Sequence, residues 1–491
     1  MGAASGEQAI TSETTEGVES HDPAFPPAYL EFMRAGWNDV DAPTSPRPEA
    51  PRHAKRRAAL SEALPGQTIV VPTGGEKVRS NDTDFPFRSG SDFAYLTGER
   101  SPGSVLVMRP NGAGHDATLY LCPHADRDND EFFRNRNGEL WVGRRPTLAE
   151  SAAELDIETA PLDELADALA DCAPGRTRVL RGFDACVDAA VRRSDDGGRD
   201  GELATILAEM KLVKDEWEIA ELQAAVDATT RGFEDVARVL PADRPVSERL
   251  LEGVFALRAR HDGNDVGYGS IVGAGEHATI LHWTRNDGRT KPGELLLMDM
   301  GVEGGNLYTA DVTRVLPVNG VFSPLQRQVY DIVHASQLAG IAAVRPGARF
   351  KDIHQTCMRV LAEGLADLGV LPVSVDEAMD PASTLYRRWS LHGFGHMLGI
   401  DVHDCAHARA ETYRDGELAE GFVLTVEPGL YFQPEDELVP AELRGIGVRI
   451  EDDVLVTADG AEVMSAGLPT AAAEVEAWLA AQREAGPRLP E

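Results

Sequence analysis

A mixed α/β (α+β) protein of two domains is the architecture that the sequence predicts, and three observations carry it. The 491-residue length exceeds one ordinary core. Up to about residue 190, short apolar runs bounded by Gly, Pro and Asn alternate with helical periodicity. Around Met210–Glu218, MKLVKDEWE, long helical patterns take over. The expected division is a disordered arm over 1–24, an α/β domain over 25–211 and a second domain over 212–491.

Taken in order, PAYLEFMRAGW and RHAKRRAALSEAL read as helices. QTIVVP (67–72), FAYLTG (93–98), SVLVMRP (104–110) and ATLYLCP (117–123) read as strands, residues 150–172 as helix and RTRVLRG (176–182) as strand. His115 and His124 stand alone as loop histidines, and no catalytic cluster occurs in this domain. Asp215 is placed to cap a helix opening EWEIAEL, and a second helix follows Ser247. Ser323 with Pro324 opens another, and Phe350–Leu368 is amphipathic. His334 and His354 lie on these two helices without acidic companions and read as structural. A short helix closes the chain at TAAAEVEAWLAAQREAG.

Composition bounds the function. No apolar run reaches the length of a membrane span, and the first twenty residues lack the basic start and apolar centre of a signal peptide. Gly6 breaks the myristoylation pattern. Five cysteines without CxxC spacing suggest free thiols in a reducing cytoplasm. The net charge of -34 argues against nucleic acid as a partner. One basic cluster, Arg52, Lys55, Arg56 and Arg57, reads as the solvated face of a helix.

The chemistry lies in the second half. Leu391–Asp404, LHGFGHMLGIDVHD, carries His392, His396 and His403, while Gly393, Gly395 and Gly399 argue against a regular helix. An irregular backbone is expected, with glycines where the chain passes close to something. Asp299 lies in the strand pattern ELLLMDMGV and Asp311 in LYTADVTRVLP, joined by a turn at Gly304-Gly305-Asn306. The two aspartates can then meet across the ladder. Glu427 sits in FVLTVEPGLYF and Glu451 in GVRIEDDVLVT, where alternation sends Glu451 and Asp453 to one face and Asp452 to the other. Buried carboxylates this close need a positive partner, either Arg314 or a metal. With His396 as fifth ligand, four carboxylates match two divalent ions, and the oxygen-rich set favours manganese over zinc. Such a pair holds a bridging water as hydroxide and polarises a carbonyl. His282, at the end of an apolar run, is a further candidate for facing the site.

These residues, with LHWTRN, MDMGVEGGNLYTADVTRVLPVNG, HGFGHMLGIDVHD, TVEPGLYF and GVRIEDDVLVT, closely resemble aminopeptidase P (Xaa-Pro aminopeptidase), a dinuclear "pita-bread" metallopeptidase family. The resemblance spans nearly all of 212–470 and, more weakly, FRSGSDFAYLTG in the first domain. It implies a creatinase-like N-terminal domain before a pita-bread catalytic domain, and a homodimer or homotetramer. It implies that Asp299 chelates one metal, that Asp311 and Glu451 bridge both, and that His396 and Glu427 complete the second. Glu427 would shuttle the proton, while His403 and His282 would hold the scissile carbonyl and help protonate the leaving nitrogen. His392 would line a proline pocket, and Arg449, two residues before Glu451, would orient the carboxylates. The implied reaction removes the N-terminal residue before proline. A dipeptidase for Xaa-Pro is the alternative, and a catalytically dead peptide-binding scaffold the remote one. Twelve positions separate Asp299 from Asp311, one more than in close relatives, so a bulge or longer turn is expected. Ala94 stands where bacterial relatives often carry a tryptophan that reaches a neighbouring subunit.

Overall fold

The computed structural model describes residues 25–38, 45–81, 83–125, 127, 130–134, 138–173, 175–191 and 199–490. The arm expected over 1–24 lies outside the described residues. Two compact units divide the chain between Leu207 and Ala208.

The first unit is built on a five-stranded mixed sheet. Thr68–Pro72 lies between Val105–Pro110, antiparallel, and Thr177–Val179, parallel. His115–Leu121 and Glu158–Pro161 extend the other side. Three expectations need correction here. Residues 93–98 are not a strand, because Ser91–Thr97 is a helix ended by Gly98 in the left-handed conformation, φ +71°. A six-residue apolar run is too short for periodicity to separate strand from buried helix. Nor is 150–172 one helix. Asp156 at φ +50° stops Leu148–Leu155, and Glu158–Pro161 pairs with the sheet before Leu165–Ala170 resumes.

The basic cluster is the third correction. Lys55 is exposed, but Arg56 and Arg57 are buried and donate to Tyr95 O (3.2 Å) and Leu96 O (2.8 Å). The last carbonyls of a helix have no internal partners and carry its negative end, so the guanidinium groups complete that end. His53 joins them at Tyr95 O, 2.9 Å away. Burial, opposed by that hydrogen bond and reinforced by Arg56 and Arg57, pushes His53 down to about 4. His115 opens a strand and bonds Ser61 and Gln67, and His124 Nδ1 lies against the Glu139 carboxylate.

The second unit follows the expected elements closely. Asp215 caps Glu216–Val239 and Ser323 caps Pro324–Ala343, each in a reciprocal capping box. Such a cap contributes about 1 kcal/mol. Ser247 precedes Glu248–Asp262 without a side-chain cap. Phe350–Asp367 and the closing helix Ala472–Ala485 pack with these around one core. His334 bonds Thr470, and burial lowers both His334 and His354.

Two groups of strands hold the acidic residues. Leu295–Met300 pairs antiparallel with Val312–Pro317 and Ile271–Ala274. The register sets Asp299 opposite Thr313 and continues to Glu303 opposite Thr309. Asp311 therefore stands two residues from the Asp299 pair, on the same face, just before its strand begins. The turn is Gly305-Asn306-Leu307, one position later than the sequence suggested, with Leu307 at φ +70° and Gly304 N donating to Tyr308 O. This three-residue turn closes a ladder in continuous register, without a bulge.

Neither Glu427 nor Glu451 lies within a continuous strand. The ladder Val423–Val426 with Asp452–Val456 stops, and a separate ladder, Gly429–Tyr431 with Gly447–Arg449, continues beyond. Glu427-Pro428 and Ile450-Glu451 occupy the two sides of that break. Pro428 has no N–H for a ladder, which accounts for one side of it.

Candidate metal centre

Leu391–Asp404 has no helix, and only Met397 makes a β-bridge, to Leu424. The expected close approach occurs at two of the three glycines. A Cβ on Gly395 would lie 2.0 Å from Thr425 O, and one on Gly399 2.2 Å from Asp404 Oδ2. Gly393 is open, with nothing nearer than 4.0 Å. His396 is fixed by its own N–H to Thr425 Oγ1 (3.1 Å) and by Nδ1 against Met397 O (3.1 Å). With Nδ1 so engaged, Nε2 faces the acids, 3.3 Å from Asp311 Oδ2 and 3.7 Å from Glu427 Oε1.

The other acids join the same cluster. Ligand atoms of Asp311, His396 and Glu451 all lie within 4.8 Å of one another. Tyr268 Oη lies 2.6 Å from Asp299 Oδ1 and 2.5 Å from Asp311 Oδ1. Arg449 Nη2 donates to Asp299 Oδ2 (2.6 Å), its Nη1 to Tyr431 Oη (2.8 Å) and its Nε to Thr313 Oγ1 (3.1 Å). Thr313 Oγ1 in turn donates to Glu451 Oε2 at 2.6 Å. All five predicted ligands are thus brought into one connected group. Arg449 reaches Asp299 directly and Glu451 through Thr313.

Arg314 does not neutralise the aspartates. Its Nη2 donates to Asp452 Oδ1 (2.6 Å) and its Nη1 to Glu451 O (2.6 Å), on the far side of the strand. Asp452 and Asp453 divide between the faces as alternation requires, because Asp453 Oδ2 accepts from Asp311 N at 3.1 Å. Exposed His403 meets His396 edge-on at 4.3 Å between ring centroids, and His282, also exposed, lies close enough to act on His403 electrostatically. His392 Nε2 lies 2.7 Å from Tyr431 Oη, and its Nδ1 3.3 Å from Glu427 Oε2.

The electrostatics leave the cluster short of positive charge. Burial pushes Asp299 up to about 6 against the pull of Arg449. Burial and the charges of Asp311, Glu427 and Asp299 push Glu451 well above the carboxylate range. Glu427 is held at about 2, because His392, His396 and Arg449 outweigh its burial. Asp311 and Glu427 overcome the burial of His396 and raise it to about 9. Although the His403 residue is exposed, partial desolvation of its ring and the neighbouring His396 lower it. Tyr268 has one hydroxyl hydrogen for two carboxylate oxygens, so one of those oxygens must find a proton or a cation elsewhere. Oxygen donors in surplus, one imidazole with its outer nitrogen anchored, and uncompensated negative charge fit divalent ions.

Sequence reasoning missed Tyr268, Tyr431 and Thr313. Tyr268 lies in an irregular segment between two strands, without the periodicity that marks a functional face.

A pita-bread hydrolase scaffold with an acidic, metal-compatible centre is the class defined by this fold and site. The family described as "Metallopeptidase family M24" matches residues 220–458, and "Aminopeptidase P, N-terminal domain" matches 53–180. The chain is 54% identical over 474 residues to Xaa-Pro aminopeptidase 1 of Streptomyces coelicolor, covering 96% of each. It is 34% identical over 448 residues to the Xaa-Pro aminopeptidase of Escherichia coli, covering 88% of this chain and 98% of that one. The solved structure of E. coli aminopeptidase P with the inhibitor Pro-Leu matches with a TM-score of 0.79 and 32% identity, over 89% of this chain and 100% of that chain. The chain belongs to metallopeptidase family M24, as a metalloaminopeptidase of the aminopeptidase P type. The dipeptidase alternative finds no support among these relatives.

Proposed function

We propose that the protein releases the N-terminal residue from peptides with proline in second position. One observation carries the proposal: Asp299, Asp311, His396, Glu427 and Glu451, distant in sequence, meet in one hydrogen-bonded cluster beneath two exposed histidines. The names of the relatives supply the substrate class. The five side chains would hold two divalent ions, and their oxygen-rich donor set suits hard or borderline ions such as manganese. When bound, these ions supply a water nucleophile at neutral pH and a Lewis acid for the carbonyl.

The chain's own residues do the rest. Glu427 takes and returns the proton at a carboxylate oxygen facing His396. His403 and His282 hold the scissile carbonyl and bring a proton to the leaving nitrogen. His392, backed by Tyr431, and Arg449, held between Tyr431 and Asp299, bind and orient the substrate beside its proline ring. The bond before proline has no N–H to recognise, so polarisation of the carbonyl must carry more of the catalysis.

The remaining expectations belong to the same reading. Five free cysteines accord with a cytoplasmic protein, and no helix among the described residues is long and apolar enough to cross a membrane. The resemblance to aminopeptidase P favours a homodimer or homotetramer. Hydrolysis of Xaa-Pro-Xaa and Xaa-Pro peptides, each with chelator and with restored Mn2+, tests the proposal. Expected is release of the first residue from the tripeptide, lost on chelation and regained with Mn2+. Chelator-insensitive hydrolysis, or cleavage of the dipeptide alone, would overturn it.

A further inference from the structure

The loop that carries His282 is gathered onto one buried side chain, that of Glu248. Glu248 opens the helix Glu248–Asp262 and has no solvent exposure. Its Oε1 accepts from Ala274 N (2.9 Å) and lies 2.9 Å from His277 Nδ1. Its Oε2 accepts from Trp283 Nε1 (2.9 Å) and Gly288 N (2.7 Å). These four contacts fall before, within and after the segment 275–287.

The segment is built for that clamp. His277 stacks on Trp283 at 3.8 Å between centroids, and Arg285 covers the indole at 4.2 Å. A Cβ on Gly288 would lie 2.8 Å from Glu248 Oε1 and 2.5 Å from His277, so only glycine leaves room for the carboxylate. Asn286, at φ +46° and fully buried, accepts from Val272 N and donates to Ser270 O, both at 2.9 Å. His282 is exposed and stands directly before the anchored Trp283. An exposed imidazole on a loop of this length would ordinarily sample several positions, and a misplacement of about 1 Å can cost about 100-fold in rate.

We propose that Glu248 is a positioning residue: its carboxylate fixes the 274–288 loop through four contacts and so holds His282 in place for the reaction. The proposal rests on the role given to His282 under the proposed function. Glu248→Gln keeps the shape but turns one acceptor oxygen into an NH2 donor. Two of the loop's donors then face a donor.

The test is a double-mutant cycle of Glu248→Gln with His282→Ala, read as kcat and KM on an Xaa-Pro-Xaa peptide with metal content measured in parallel. Expected for Glu248→Gln is a fall in kcat of about 10- to 100-fold with KM and metal content little changed. In the His282→Ala background the same change should cost less than about threefold. Equal losses in both backgrounds would overturn the proposal, since Glu248 would then act on something other than His282. Trp283→Phe, which deletes one donor and keeps the ring, repeats the cycle with a smaller perturbation should Glu248→Gln fold poorly. Amide hydrogen exchange needs no substrate and separates this proposal from the functional one. Faster exchange confined to 274–288 in Glu248→Gln is expected, and unchanged exchange there would refute the clamp even if no peptide is cleaved.

Discussion

Asp311→Asn should separate metal binding from folding. In the metal-free protein, Asp311 feels two opposing effects of similar size. His396, raised to about 9, is positive at neutral pH and lies 3.3 Å away. At an effective dielectric of about 20 that attraction is about 5 kcal/mol. Glu451, pushed well above the carboxylate range, is uncharged at neutral pH and repels little, but Asp299 across Tyr268 repels, and burying the Asp311 carboxylate costs on the order of several kcal/mol. The terms nearly cancel, so the metal-free variant should unfold within about 2 kcal/mol of the metal-free parent. The loaded forms should differ. Loss of an outer partner of a ligand costs about 10- to 100-fold in metal affinity, and loss of Asp311, proposed as a ligand shared by two ions, should exceed that. The assay is thermal unfolding with chelator and with Mn2+, alongside metal analysis and peptide hydrolysis. The parent should gain stability from Mn2+, and the variant should gain little, bind fewer ions and lose activity. A variant that holds two ions and turns over normally would refute the reasoning, because Asp311 would not be a ligand.

Three further outcomes are expected. His403→Ala should lower kcat by about 100-fold or more while retaining metal, by metal analysis, and loss of the ions would mean that His403 is structural. Gly395→Ala should destabilise the protein by at least about 1–3 kcal/mol in urea unfolding and weaken metal uptake, since its Cβ would lie 2.0 Å from Thr425 O and Thr425 fixes His396; a neutral effect would show the backbone yields there. His53, lowered to about 4 from 6.5, stays neutral when folded while the unfolded chain takes up a proton. Its contribution, present above pH 6.5, is lost as pH falls towards 4, roughly 3 kcal/mol in all. Denaturation of the parent and of His53→Gln across that range should show the extra slope in the parent alone.

The second unit was legible because its local signals agree with one another. Asp215 and Ser323 announce helices that form, and isolated acids in apolar runs mark positions whose burial needs a reason. The first unit was less legible because tertiary partners decide it. Ser91–Thr97 can be a helix because Arg56, Arg57 and His53 meet its last carbonyls, and those arginines are buried for the same reason. Nothing local to either segment announces the other. In the site, acids and histidines were visible as residue types out of place, whereas Tyr268 and Thr313 are ordinary residues whose importance comes only from what they touch.

The interrupted ladder has an evolutionary consequence. A one-residue slip in a continuous ribbon reverses the facing of every side chain along it. Here Glu427 and Glu451 stand at a joint between two independent pairings, so a slip in either would be arrested before it crossed to the other. Sequence drift at the outer ends of both ribbons can therefore accumulate without turning the carboxylates away. The joint itself, Glu427-Pro428 against Ile450-Glu451, should tolerate almost no insertion or deletion.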